Sequence, residues 1–572
     1  MKKAILFITA VIISSASTFG TSSAEETFSG TAEGHNEPVS VAVKIGDGGV
    51  LKQAEVTSHI ETKGISDLAI TEIPKRILDA QSLQVDVMSG ATFTSRAVIN
   101  AVRNAITAAG LDVNNYMKPQ PKQEKQSVVY DVDIAIIGGG IAGLSAGTHA
   151  AESGEKVLII EKQSQLGGSA LLAAGVMNVA GTSLQRENGV YDAPENNVMA
   201  LVNPSSKYRT DNPVFTMIMH RHGADMIEEL RSRGLEFVEY SPVRSRIHIA
   251  APAMYQGGST LIDLWKRDFA SAGGEALLET KVTELLFDKA GTVTGVKAEG
   301  KNTDVTVNAK AVILATGGYS NNMRLVAKLT PEYSGVLPRD NSGATGDGIA
   351  FAESAGGYLH ASDAGYQFFC LDTKRLYDLP TLSTFASSIM VNLSGDRFVN
   401  ESLPFTIPAR ALRAQNGGRG WFVFDDTARA MHKPIEHYFE MGIVTEANSI
   451  EELAAKINAP KLSATVERYN SMSKAGKDED FGRSINLRGI TGEHFYAIGA
   501  MPAIYVSFGG VKADENFRVI RRDGTPIKGL YAAGEILGSL EAQEGRAYTS
   551  GLLQGMVTGK IAAGSAVFNM MK

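Results

Sequence analysis

The chain has 572 residues, which at roughly 150 residues per domain makes three or four structural units and excludes a small binding module. It carries 55 basic and 62 acidic residues, a net charge of -7, and 44% hydrophobic content, a balance that supports large cores and argues against nucleic acid as a partner. Cys370 is the only cysteine, so an intrachain disulfide, a thiolate zinc cluster and a Cys-x-x-Cys-His haem attachment are excluded.

The first segment, MKKAILFITAVIISSASTFGTSSAEE, has two lysines, a short apolar run and small residues up to Ala24. That pattern predicts a secretory signal peptide over 1–24, since the run falls short of the ~20 residues of a membrane span. The mature protein is expected to be periplasmic. Residues 25–116 read as a small α+β domain, with strand-like FSGTAEG, VSVAVKI and VLKQAEVTSHIET followed by helical stretches at 73–80 and 95–109. The polar, proline-bearing stretch at 117–129 reads as a linker. From 130 the pattern becomes strand, glycine turn, helix, strand. This α/β nucleotide-binding unit is expected in two parts, 130–356 and 504–572, because its signals recur at 311–318 and 529–555. The mixed segment 357–503 between them reads as an inserted cap.

In DVDIAIIGGGIAGLSAG, Gly138, Gly140 and Gly143 follow an apolar strand at the mouth of a helix. Gly138 permits a tight turn, Gly140 lets the backbone approach a pyrophosphate, and Gly143 lets helix and strand pack closely, while the helix N-terminus offers N–H donors. The next strand, KVLIIEK, ends in Glu161, eighteen residues after Gly143. There a carboxylate can accept ribose hydroxyls; a solvated strand-end charge is the alternative. Three further segments favour flavin over nicotinamide. In QSQLGGSALLAAGVMN, Gly167, Gly168 and Ser169 can meet the pyrophosphate side, and Ala174 and Gly175 can lie against a flat ring. AVILATGGYS supplies Thr316, Gly317 and Gly318 beneath the nucleotide, and GLYAAGEILG places Glu535 to accept from a ribityl hydroxyl. Each glycine pair alone is also an ordinary turn; their order carries the reading.

With these motifs, and with NSGATGDG at 341–348 and GDRFVNE at 395–401, the chain from about Asp131 onward resembles the flavoprotein family of soluble fumarate reductases, urocanate reductase and 3-ketosteroid dehydrogenases. The resemblance implies an α/β fold: a Rossmann-like FAD-binding domain in two parts, an inserted α+β clamp that closes over substrate, and noncovalent FAD. It adds Ala142, Lys162, Val282, Asp347, Ser550, Gly551 and Leu552 to the expected cofactor site. In the first domain, DVMSGATFTS at 86–95 resembles the flavinylation motif of FMN-binding domains, which implies covalent FMN as a phosphoester on Thr92. Asp86 would then help position an FMN transferase and its metal, and Gly90 and Ala91 would leave room for the donor. A helix N-cap at Ser89, Thr92 or Thr94 suits the same residues. The pairing implies electron flow from an external donor through FMN and FAD to substrate. That donor is expected to be a separate periplasmic or membrane-bound multihaem cytochrome, or a quinol-linked protein.

In the family's fumarate reductases an arginine four residues past the FVNE motif protonates the substrate, and here Phe405 holds that position. A histidine three residues before a Gly-Gly pair becomes Val506, and one in a segment entering the clamp becomes Phe368. Burying a dicarboxylate against these side chains would cost on the order of several kcal/mol, so fumarate is a poor fit. Arg546 in EGRAYTSG is expected to hold a carboxylate or enone oxygen through a bidentate fork, with Tyr548 nearby as a carbonyl-holding tyrosine of the ketosteroid type. Arg410, Tyr505 and Asp378 are candidate proton donors; a surface helix charge is the alternative for Arg410. No metal site is expected, since His220 and His222 face different sides of a helix. The expected reaction is hydride transfer to the activated C=C bond of a small unsaturated acid with a hydrophobic body, such as a cinnamate-like enoate, in a terminal reductase of anaerobic respiration. A ketosteroid-type dehydrogenase or enone reductase, and an electron carrier without its own substrate, are the alternatives.

Overall fold

The computed structural model describes residues 26–61, 64–119, 124–202, 212–241, 246–252, 256–361, 366–370, 387–403, 406–431, 435–440, 442–538, 540 and 550–572. It divides into two units, Met1–Val87 with Ala91–Pro121 and Met88–Gly90 with Lys122–Lys572.

In the first unit, Val39, Val41, Val43 and Ile45 are buried and alternate with less buried residues along the strand Pro38–Ile45, the two-residue period of a sheet with one covered face. This strand lies between antiparallel Glu26–Glu33 and Leu51–Ser58. The helix Thr92–Ala108 buries Ala97, Val98, Ala101, Val102, Ala105 and Ile106. A Cβ on Gly30 would stand 2.0 Å from the Ala101 carbonyl oxygen, so strand and helix approach as closely as only glycine permits. Both helices start before the expected 73 and 95. The first, Asp67–Ala80, carries Pro74 in its interior, where the missing N–H ordinarily breaks a helix. Here Ala69, Ile73, Pro74 and Ile77 are buried together, and that apolar stripe outweighs the lost bond.

The second unit is built on a sheet whose parallel strands run Glu275–Leu277, Val157–Ile160, Gln126–Ile137, Thr303–Leu314 and Pro526–Ala532 in spatial order. Lys281–Phe287 and Val293–Glu299 extend it antiparallel beside the first half of Thr303–Leu314. Ile134 to Ile137 and Val157 to Ile160 are buried without alternation, as in a sheet covered on both faces. The helix Ile141–Glu152 packs on Gly551–Met570 through small residues: a Cβ on Gly559 would lie 2.5 Å from the Ala142 carbonyl oxygen, and the Ser145 hydroxyl donates to the Met556 carbonyl at 2.8 Å. The strand Gln126–Ile137 begins inside the stretch expected as linker, because Thr303–Thr306 supply parallel partners for Gln126–Val129.

A second sheet is organised by the strand Phe495–Val506. Gly420–Asp425, Thr445–Ala447 and Tyr366–Cys370 pair with it antiparallel, Leu337–Pro338 pairs parallel, and Ser388–Asn392 flanks Gly420–Asp425. Phe422, Phe424, Tyr496 and Ile498 enter one core, while Ile389, Val391, Val423 and Ala497 enter the other, so alternation sorts side chains to opposite faces. The expected cap limits of 357 and 503 are crossed both ways. Leu337–Pro338 joins this sheet, Leu359–His360 pairs with Gly510–Val511, and Phe495–Val506 runs on past 503 into the wall of a cleft.

Candidate active site

That cleft opens at the carboxyl ends of the parallel strands, where open α/β sheets place ligands. Gly138 turns the chain out of Gln126–Ile137 at φ +102°, and a Cβ there would lie 2.4 Å from the Ala315 carbonyl oxygen. Gly143 lets the following helix seat: its Cβ would stand 2.0 Å from the Gly138 carbonyl oxygen. Gly140 caps the helix Ile141–Glu152 and bridges to Gly167. A Cβ on Gly140 would meet only the Gly167 oxygen, at 3.9 Å, leaving open space in front of the helix N-terminus. Glu161, 6% exposed, accepts from the Gly139 amide at 2.7 Å and the Gln163 amide at 2.8 Å, which holds the glycine turn and the end of the second strand together.

Of the residues singled out as cofactor ligands in this unit, Gly138, Gly140, Ala142, Glu161, Lys162, Gly168, Ser169, Ala174, Gly175, Val282, Thr316, Gly317, Asp347, Glu535, Ser550, Gly551 and Leu552 all line this cleft. Gly143, Gly167 and Gly318 stand behind it instead. A Cβ on Gly318 would fall 2.1 Å from Glu535 Oε1 and 2.6 Å from Ser507 Oγ, so this glycine makes room for the Glu535 carboxyl. The platform at Ala174–Gly175 is backed by the helix Gly257–Ser271: Gly258 N donates to the Ala173 carbonyl at 2.9 Å, and a Cβ on Gly175 would lie 2.6 Å from Gly257 Cα. Lys162 Nζ bonds Thr345 Oγ1 and Asp347 Oδ2, each at 2.6 Å, joining the two lining residues in an ion pair.

The wall also carries groups that no sequence motif had marked: Arg339 and Asp340 line the cleft, beside Asn341 of NSGATGDG and Gln163 at the head of QSQLGGSALLAAGVMN. Asp340 accepts from the Ser320 hydroxyl at 2.7 Å and the Asn341 amide at 2.7 Å. Burial raises its pKa against the opposing pull of Ser169, Ser320, Asn341 and Arg339. Glu535 accepts from the Ser507 amide at 2.7 Å; burial first, then the neighbouring Asp340 charge, push its carboxyl up to about 8. Two carboxyls thus sit on one cleft, each disfavouring ionisation of the other. The segment just ahead of NSGATGDG gave no spacing signal, which is why Asp340 was missed.

Thr316 Oγ1 is buried without a hydrogen-bond partner among the described residues, and a Cβ on Gly317 would meet nothing within 4 Å. An orphaned buried hydroxyl calls for a partner from a ligand. With open glycines at a helix N-terminus, a strand-end carboxylate and a buried second carboxyl, the residues present fit an FAD. Gly138, Gly140 and the helix N-terminus would hold phosphates, Glu161 the ribose, Thr316 and Glu535 the ribityl side, and Ala174–Gly175 the flat ring.

The substrate-side expectations divide. Val506 is 8% exposed and lines the cleft. Tyr505 and Phe368 lie on paired strands, Phe368 opposite Ala503; nothing further is described of their side chains. Arg410, on the helix Thr406–Arg413, does not line the cleft and forms an ion pair with Glu332. Arg546, Tyr548, Asp378 and Phe405 lie outside the described residues. In the first unit, Thr92 opens its helix, but the N-cap is Ala91 and no side chain caps it. Thr94 donates to Glu61 and Ser95 to the Ala91 carbonyl, so Thr92 is not the capping residue. Asp86 is exposed, and its carbonyl accepts from Arg76 at 3.0 Å.

Residues 133–545 match the FAD binding domain model, and residues 34–107 match the FMN-binding domain model. The chain is 31% identical to a fumarate reductase (cytochrome) of Shewanella frigidimarina over 469 residues, covering 77% of this chain and 80% of that one. It is 29% identical to the urocanate reductase of Eggerthella lenta, covering 90% and 88%. Its fold is similar to the open conformation of a flavocytochrome c3 fumarate reductase, with a TM-score of 0.65, 26% identity and coverage of 77% and 79%.

Proposed function

This chain belongs to the FAD-binding-domain family of flavin oxidoreductases acting on C=C bonds, and on that premise we propose that it is an exported, periplasmic reductase of an α,β-unsaturated carboxylate other than fumarate. The observation that carries the choice of substrate is Val506, a buried apolar side chain on the wall of the cofactor cleft. A second carboxylate pressed against it would lose hydration without recovering a hydrogen bond, at a cost on the order of several kcal/mol. A substrate with one polar end and an aryl or alkyl body, such as a cinnamate-like acid, avoids that cost.

Bound FAD supplies the hydride chemistry; the chain supplies position and polarity. The Ala174–Gly175 platform, fixed by the helix behind it, would support the flat ring. Glu535 and Thr316 offer one acceptor and one hydroxyl to the cofactor. Arg546 is the proposed anchor of the substrate oxygen, where a guanidinium favours the negative charge that develops as the C=C bond is reduced. Thr92 would carry FMN as a phosphoester and so let the chain take electrons from an external cytochrome or quinol-linked donor; the match of the first unit to an FMN-binding domain and the absence of a capping role for Thr92 support that assignment.

Anaerobically reduced holoenzyme mixed with a panel of enoates and enones tests the proposal. Fast reoxidation by hydrophobic enoates, with fumarate slow, is the expected result. Equal rates across the panel, or preference for fumarate, would overturn it.

A further inference from the structure

The cleft wall beside Val506 carries a guanidinium that neither motif nor family pattern had marked. Leu337–Pro338 runs parallel to Phe495–Val506 with Leu337 opposite Ala503 and Pro338 opposite Ile504, and the Arg339 amide continues the ladder by donating to the Ile504 carbonyl at 2.6 Å. Arg339 and Asp340 therefore leave the strand alongside Tyr505 and Val506, and Arg339, Asp340 and Val506 all line the same cleft. Among the described lining residues Arg339 is the one arginine. The other cations of the lining, among the described residues, are Lys162, 2.6 Å from Asp347, and Lys281, 3.8 Å from the same carboxylate; Arg339 has protein contacts of its own.

We propose that Arg339 is a substrate-binding residue that holds the carboxylate or carbonyl oxygen of the substrate beside the apolar wall at Val506, and so determines which unsaturated acids enter. Five N–H donors in a planar fork let a guanidinium keep a protein neighbour and still present a bidentate edge to an oxyanion. The guanidinium stays charged throughout, and burial disfavours the ionised form of the adjacent Asp340, whose charge would offset it. Ser320 and the Asn341 amide hold its carboxyl in place. This assignment rests on the enoate-reductase reading of the cleft and adds a second cationic contact to the one proposed at Arg546.

The test uses FAD-loaded full-length protein as wild type, Arg339→Ala, Arg339→Gln and Arg339→Lys. Two quantities are read: flavin reoxidation by the best enoate of the panel, and the dissociation constant of its saturated product from the perturbation of the oxidised flavin spectrum. Loss of a charge-assisted bond should weaken product binding and raise KM by about 10- to 100-fold in the alanine and glutamine variants, with flavin content unchanged and partial recovery in the lysine variant. Product affinity equal to wild type in both neutral variants would overturn the proposal while leaving the enoate activity standing. Loss of FAD in all three variants at unchanged product affinity of the retained fraction would also overturn it, by making Arg339 a cofactor contact. Failure of every enoate and enone to reoxidise wild type would sink the functional reading first and this assignment with it.

Discussion

Arg397 and Glu401 pair at 2.7 Å, four residues apart, with side chains only 4% and 0% exposed. Both belong to the GDRFVNE motif, and the pair is part of a buried cluster: Arg397 also meets Asp478 at 2.9 Å, and Arg483 meets Glu401 at 3.3 Å. Tyr469 and Phe481 lie near the Arg397 guanidinium, 4.9 and 5.1 Å from it. Removing one member of such a cluster leaves an uncompensated buried charge. Glu401→Gln should therefore cost about 3–5 kcal/mol of stability, read as a lowered urea midpoint. A loss below about 1 kcal/mol would show that solvent reaches the cluster.

Two buried groups, Glu535 and His360, should give the FAD-free protein opposing pH-dependent contributions to stability. Glu535 is raised from 4.5 to about 8, so the native state binds its proton more tightly than the unfolded chain. The resulting stabilisation is complete below about pH 4.5 and declines as pH rises towards 8. His360 is pushed down from 6.5 to about 4 by burial first and the Lys512 charge second, so its contribution is present above pH 6.5 and is lost as pH falls to 4. Glu535→Gln should remove the decline between about pH 4.5 and 8, a change on the order of a few kcal/mol. A decline unchanged in that variant would place the proton elsewhere.

Thr316 gives a contrast between apo and holo protein. Thr316→Val keeps the volume and removes a buried hydroxyl that lacks a partner, so the FAD-free protein should be as stable as wild type or more so. FAD should bind about tenfold more weakly, by titration of apoprotein. Gly143→Ala should damage both, because its Cβ would strike the Gly138 carbonyl; overpacking of about 1–3 kcal/mol predicts FAD affinity lowered about 5- to 150-fold. Tight FAD binding in Gly143→Ala would refute the close helix–turn contact.

Thr92 and Thr94 separate modification from packing. Thr92→Ala should abolish in-gel flavin fluorescence after denaturation and leave the melting temperature within about 1 °C of unflavinylated wild type, since it caps nothing. Thr94→Ala should retain the fluorescence but cost about 1–3 kcal/mol, because the buried Glu61 carboxyl loses its hydroxyl donor. Fluorescence surviving in Thr92→Ala would remove that residue as the attachment point.

What could be read from the sequence was whatever repeats a local rule. The two-residue alternation in VSVAVKI, the unbroken apolar runs before Gly138 and Glu161, and glycines spaced for a turn and a helix mouth each state their conformation within a few residues. Most residues named from them do line one cleft. Contacts made by distant segments were not legible in that way. Gln126 became strand because Thr303 lies beside it, Pro74 stayed helical because its face is buried, and Arg410 was drawn to Glu332. Asp340 and Glu535, nearly two hundred residues apart in the chain, became a facing carboxyl pair only once the sheet closed. Periodicity and steric rules act over a few bonds, whereas burial and electrostatic coupling depend on which distant strands fold side by side.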